Sequence, residues 1–195
     1  NGVSQWITGE AARADGHAWR RRAGAVLTGV GTVRDDDPRL DVRLVDTPRQ
    51  PLRVTLDSHL ATPPAARVLE PPGSVLIFTA RPDAARAQAL RARGAEIVEA
   101  PAPDGRVDLP TVLRALGERG VNELHVEAGR TLSGAFVQQR LVDEYLVYLA
   151  PKLLGPGRDL ATFGPLTDLA DAVTLQFHDV GRVGTDLRVL ARPSP

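Results

Sequence analysis

Apolar and polar positions change period repeatedly along this chain, and the changes mark out its elements. Residues 9–22 carry Ala11, Ala12, Ala18 and Trp19 among charged neighbours, the pattern of a surface helix with one modest apolar face. Residues 25–30 are small and mostly apolar and predict a buried strand. Residues 31–43 are dense in Gly, Asp, Pro and Arg and hold neither period, which predicts a loop. The stretch 52–57 alternates like a strand, 74–79 is a short apolar run, and 83–93 has the Ala/Arg/Leu content of a helix. Further on, 95–99 reads as strand, 108–119 as an amphipathic helix introduced by Leu109-Pro110, and 123–127 as strand. A helix at 131–140 follows, with Thr131 placed to cap it. Strands at 145–150, 173–177 and 187–190 close the chain. This alternation predicts an α/β fold with a mostly parallel central sheet, an antiparallel edge and helices on both faces.

Composition narrows the picture. The 195 residues, 43% of them hydrophobic, suit one domain spanning 1–195 with a continuous core. The Pro-rich segments at 63–64, 71–72 and 101–103 are short enough to be surface connections. With 24 basic and 24 acidic residues, nothing in the overall balance points to a nucleic acid or an acidic membrane surface, so anion recognition is expected to be local. The absence of cysteine excludes disulfides, thiol nucleophiles and zinc–thiolate sites, and a cytoplasmic location is the simplest reading. No apolar run approaches the roughly 20 residues that span a bilayer. Because the chain begins at Asn1 and contains no methionine, we expect a preceding segment.

Three stretches carry candidate chemistry. The first follows the 25–30 strand: Gly29-Val-Gly-Thr lets backbone amides approach a ligand, although Arg34 stands where a dinucleotide fingerprint has its third glycine, so a plain tight turn is the competing reading. Directly after it, Asp35-Asp36-Asp37-Pro38 sits among Arg34, Arg39 and Arg43, either a solvated acidic turn or a proton-transfer group beside a phosphate clamp. Three consecutive acids cannot all face one ion, and no metal site is expected. The second stretch, Glu127-Ala-Gly-Arg-Thr-Leu, ends a strand and opens a helix, a junction whose free N–H groups and dipole favour an anion. Third, Trp6 in Ser4-Gln-Trp-Ile-Thr is suited to stacking on a flat ring or to plain packing. His17, His59, His125 and His178 lack ligand spacing and are read as structural or exposed.

Taken in order, Ser4-Gln-Trp-Ile-Thr, the run from Thr28 to Arg43, Leu56-Asp-Ser, Val126-Glu-Ala-Gly-Arg-Thr-Leu-Ser-Gly, and Leu141 to Gly155 resemble one family from end to end. That family is the reductase half of the bifunctional pyrimidine deaminase/reductase of riboflavin biosynthesis. The resemblance implies a fold like dihydrofolate reductase. It also implies NADPH-dependent reduction of 5-amino-6-(5-phosphoribosylamino)uracil to 5-amino-6-(5-phosphoribitylamino)uracil, with hydride passing to the ribose C1′. Carried over, the motifs imply substrate contacts from Ser4, Arg20, Leu40, Arg43 and Glu127. They imply cofactor contacts from Trp6, Thr32, Asp36 and Ser58, with Gly129, Arg130, Thr131, Leu132, Ser133, Gly134 and Ala135 under the pyrophosphate. Asp36 is the expected catalytic group, and arginines suit the substrate's phosphate because a guanidinium offers two parallel hydrogen bonds. Ser58 and Arg81 are placed for the 2′-phosphate of NADPH. The resemblance further implies a homodimer, and a first strand and a zinc deaminase domain upstream of Asn1.

The competing readings are a reductase of the undeaminated 2,5-diamino-6-ribosylaminopyrimidinone 5′-phosphate, a folate-type reductase, and a non-catalytic nucleotide-binding domain. Assays with each substrate separate the first two, and NADPH binding without turnover marks the third.

Overall fold

The computed structural model of the chain describes residues 6–194. Eight strands and five helices follow one another as α1 (Glu10–Arg22), β1 (Ala25–Gly29), α2 (Val30–Asp36), β2 (Leu52–Leu56), β3 (Val75–Thr79), α3 (Ala84–Arg91), β4 (Ala95–Glu99), α4 (Leu109–Glu118), β5 (Leu124–Val126), α5 (Arg130–Gln138), β6 (Tyr145–Leu149), β7 (Leu175–Val183) and β8 (Asp186–Pro193). The first five strands make an all-parallel sheet in the order β4-β3-β2-β1-β5. The antiparallel strands form a second sheet of their own, β6-β8-β7.

Alternation within the parallel strands explains the layers. Ala25, Leu27, Val54, Leu56, Leu76 and Phe78 point to one face and pack with Leu109, Val112 and Leu116 of α4 and Phe136 of α5. Val26, Val75, Ile77 and Ala95 point to the other, against Val33 of α2 and Ala87 and Leu90 of α3. Strands buried on both sides read as near-continuous apolar runs, which is why the sequence marks them clearly. Asp83 caps α3 by accepting from Arg86 N–H, and Asp108 caps α4 by accepting from Thr111 N–H.

Two local expectations are corrected. The stretch after β1 is not all loop: residues 30–36 form α2, whose Val33 is 1% exposed in the core. Gly31 and Thr32 are weak helix formers, so it is burial of that face which holds the turn. Nor does Thr131 cap α5; the cap position is Gly129, with no side-chain bond, and the helix starts one residue earlier than expected.

From β1 the chain winds outward through β2, β3 and β4, then returns to lay β5 on the other side of β1. Ligand crevices in open α/β sheets form where the winding reverses, outside the carboxyl ends of the strands. Here that place is the junction of β1 and β5, where Glu127 N–H donates to Leu27 O at 2.8 Å.

Candidate active site

Two helices open side by side at this junction. Gly29 precedes α2 and Gly129 precedes α5, both in extended conformation and neither with a capping side chain. A Cβ on Gly129 would sit 3.6 Å from Thr32 Oγ1, and one on Gly29 would sit 3.3 Å from Leu132 Cδ2. Leu132 N–H already donates to Gly129 O at 3.1 Å, so it is the Arg130 and Thr131 amides at the head of α5 that are open to a ligand, where the helix dipole favours an anion. Ser133 Oγ turns back to donate to Ala128 O at 3.2 Å.

Beyond the edge strand β5 lies a cavity of about 1330 Å³ whose lining includes α1, β5, α5 and β6. Arg20, Arg43 and Glu127 all open onto it. Arg20 grips Glu127 through two parallel bonds, Nε to Oε1 at 2.5 Å and Nη2 to Oε2 at 2.6 Å, and sends Nη1 to the carbonyl of Asp41 at 2.9 Å. Burial pushes the Glu127 carboxyl up, but the hydrogen bonds from Arg20 and His125 outweigh it and hold it down at about 2. It is an anion across the physiological range. Arg43 is more open: its side chain is 44% exposed and Nη1 bonds Asp41 Oδ1 at 2.7 Å.

Helix α1 joins this site to the antiparallel sheet. Asp15 accepts from Tyr148 OH at 2.6 Å and pairs with Arg188 at 3.2 Å, while Gly9 N–H donates to Asp186 at 2.7 Å.

Ser4 lies outside the described residues. Of the other anticipated residues, Arg20, Arg43 and Glu127 come together, and Thr32 stands beside Gly129 at the start of α5. Leu40 is left-handed at φ 54 and wholly buried, with its side chain in the core, so it does not open onto the cavity. Trp6 is 61% exposed and lies under the Arg13 guanidinium. The three neighbouring acids diverge: Asp35 pairs with Arg158 at 3.4 Å, Asp37 accepts from Arg67 N–H at 2.8 Å, and Asp36 is exposed at the end of α2. Asp36 contacts neither Arg20 nor Arg43. Ser58 O accepts from Arg81 N–H at 2.8 Å, and the Arg81 guanidinium packs against Gly105.

Two of the histidines read as structural or exposed line the same cavity. His125 Nε2 lies 3.3 Å from Glu127 Oε1, and His17 Nδ1 accepts from Arg43 N–H at 3.2 Å. Burial, with the charges of Arg20 and Arg43, lowers His17 to about 4. Both had a signal in the sequence: His17 is three residues before Arg20 on α1, and His125, on β5, is two before Glu127 just past that strand's end, so each shares a face with a charged residue of the cavity.

A strap crosses the crevice. Thr162 N–H donates to Arg130 O at 2.9 Å, Arg130 pairs with Asp159 at 3.7 Å, and Arg158 reaches Asp35 of α2. Gly134 is buried against the Thr162 backbone so closely that a Cβ there would overlap it.

Comparison with known proteins gives a consistent picture. The family model described as the RibD C-terminal domain matches residues 1–189. The chain is 37% identical to riboflavin biosynthesis protein RibD of Escherichia coli, covering 96% of this chain and 53% of that protein. It is 26% identical to a Buchnera aphidicola protein named 5-amino-6-(5-phosphoribosylamino)uracil reductase, covering 99% of this chain and 98% of that one. Acinetobacter baumannii RibD superposes with a TM-score of 0.84 at 34% identity, over 100% of this chain and 53% of that one. The chain thus spans about half the length of the RibD proteins it matches.

Proposed function

Since the chain belongs to the RibD C-terminal domain family, we propose that it reduces 5-amino-6-(5-phosphoribosylamino)uracil to the ribitylamino compound with NADPH as hydride donor. The observation that carries this reading is the meeting of Arg20, Arg43 and Glu127 on one cavity, next to the uncapped start of α5.

The residues present fit a dinucleotide. Gly129 and the Arg130 and Thr131 amides suit its pyrophosphate, with Thr32 in the first turn of α2, beside Gly129, and Ser58 two residues past the end of β2. NADPH supplies the hydride when bound. On the substrate, opening of the ribose ring leaves an imine at C1′; that carbon gains the hydride, its nitrogen gains one proton, and a secondary amine results. Arg43 holds the 5′-phosphate, and Glu127, an anion pinned by Arg20, accepts from sugar or ring donors. Asp36 provides the carboxyl group beside the reacting carbon, as proton relay or as stabiliser of a cationic imine.

No helix among the described residues is long and apolar enough to cross a membrane. Exposed Leu175, Phe177, Val180 and Leu187 on β7 and β8, with exposed Leu153 and Leu154 in the segment after β6, support pairing with a second copy. The test is NADPH oxidation with the uracil compound and, in parallel, with its undeaminated diaminopyrimidinone counterpart. Turnover of the former is expected, and oxidation only with dihydrofolate contradicts the reading.

A further inference from the structure

Arg43 presents the more exposed guanidinium of the site, and a residue outside the anticipated set aims it. Asp41 is 4% exposed and divides its carboxylate between two arginines: Oδ1 accepts from Arg43 Nη1 at 2.7 Å and Oδ2 from Arg39 Nε at 2.9 Å. Arg39 is itself anchored, on Glu70 at 2.6 Å and on the Pro71 carbonyl at 3.0 Å. The backbone of this segment is held at each step. Asp41 O accepts from Arg20, the N–H and carbonyl of Val42 are both taken by the Gln50 amide at 2.8 and 2.9 Å, and Arg43 N–H ends on His17 Nδ1.

Fixing a long side chain ahead of binding removes part of the entropy that binding otherwise costs. We propose that Asp41 is a positioning residue for an anion site, with His17 fixing the backbone, so that the free N–H groups of Arg43 face the phosphate of a sugar phosphate. This rests on the reading of Arg43 as the phosphate-binding arginine.

Coulomb's law and positioning predict opposite signs. Replacing Asp41 by Asn removes a negative charge beside Arg43, which by charge alone strengthens anion binding; loss of aim weakens it. The experiment is calorimetric titration of ribose 5-phosphate into the unaltered chain, Arg43→Ala and Asp41→Asn, with thermal midpoints measured alongside. Both variants are expected to bind about tenfold more weakly, the loss of one charge-assisted bond. A merely structural pair lowers the midpoint and leaves the folded chain's affinity unchanged. If Arg43→Ala weakens binding and Asp41→Asn leaves it equal or tighter, the positioning role is overturned while the phosphate reading stands. If Arg43→Ala has no effect, or the unaltered chain does not bind, the phosphate reading fails and this one with it. Should Asp41→Asn not fold, His17→Leu is expected to weaken binding about threefold, with His17→Gln restoring it through its amide acceptor. Equal behaviour of those two variants also overturns the proposal.

Discussion

Replacing Glu127 with Gln tests the electrostatic centre of the site, because shape is kept and charge is lost. Arg20 then faces an amide in place of a carboxylate that accepts two of its bonds at 2.5 and 2.6 Å, with side chains only 13% and 30% exposed. Two routes give the size of the effect. Hydrogen bonds to charged groups contribute about 1.5–3 kcal/mol net. Independently, the carboxyl moves from 4.5 to about 2 on folding, which at about 1.4 kcal/mol per unit is about 3.5 kcal/mol, an upper figure for a pair that water still reaches. The folded carboxyl is the stronger acid, so the unfolded chain takes up its proton first as pH falls. The contribution is complete above about pH 4.5 and fades toward pH 2. Urea unfolding followed by tryptophan fluorescence should put Glu127→Gln about 2–3 kcal/mol below the unaltered chain at pH 7, with about half that gap at pH 3. A gap of the same size at both pH values would mean that packing, not charge, holds this corner, and would refute the reasoning.

Four further outcomes are expected. His17 is lowered from 6.5 to about 4 on folding, so the stability it confers is complete above about pH 6.5 and lost as pH falls through 4; His17→Gln should flatten the stability profile in that window, and an unchanged profile counts against it. Gly134→Ala gains about 1 kcal/mol of helix propensity but overpacks the strap at Thr162 by about 1–3 kcal/mol, so the thermal midpoint should fall; a rise shows the strap gives way freely. Arg81→Ala should cut the preference for NADPH over NADH about tenfold, and an unchanged ratio of kcat/KM values removes Arg81 from 2′-phosphate recognition. Asp36→Asn should lower kcat about a hundredfold or more with KM little changed, whereas a rise in KM alone assigns Asp36 to binding.

Much of the architecture was legible because strands buried on two faces leave apolar runs that little else produces, as in Val75-Leu-Ile-Phe-Thr of β3. Helix α2 was hidden because Gly31, Thr32 and three acids spell a turn locally, while Val33 in the core decides the outcome. The start of α5 was misplaced by one residue because a bare glycine cap carries no side-chain signal, and that bareness is what suits the position to an anion. Arg20 comes from α1, Arg43 from the loop between α2 and β2, and Glu127 from the turn between β5 and α5, and only the family resemblance joined them in advance. The partners that hold them, Asp41, His17 and His125, are single residues without spacing of their own until helix and strand faces are assigned.

Two bound ligands locate both halves of the site at once. A crystal structure of the chain with NADPH and ribose 5-phosphate should place the pyrophosphate over residues 129–132 and the sugar phosphate on Arg43, with the nicotinamide between them. A pyrophosphate lying away from the start of α5, or a phosphate that Arg43 does not touch, contradicts it.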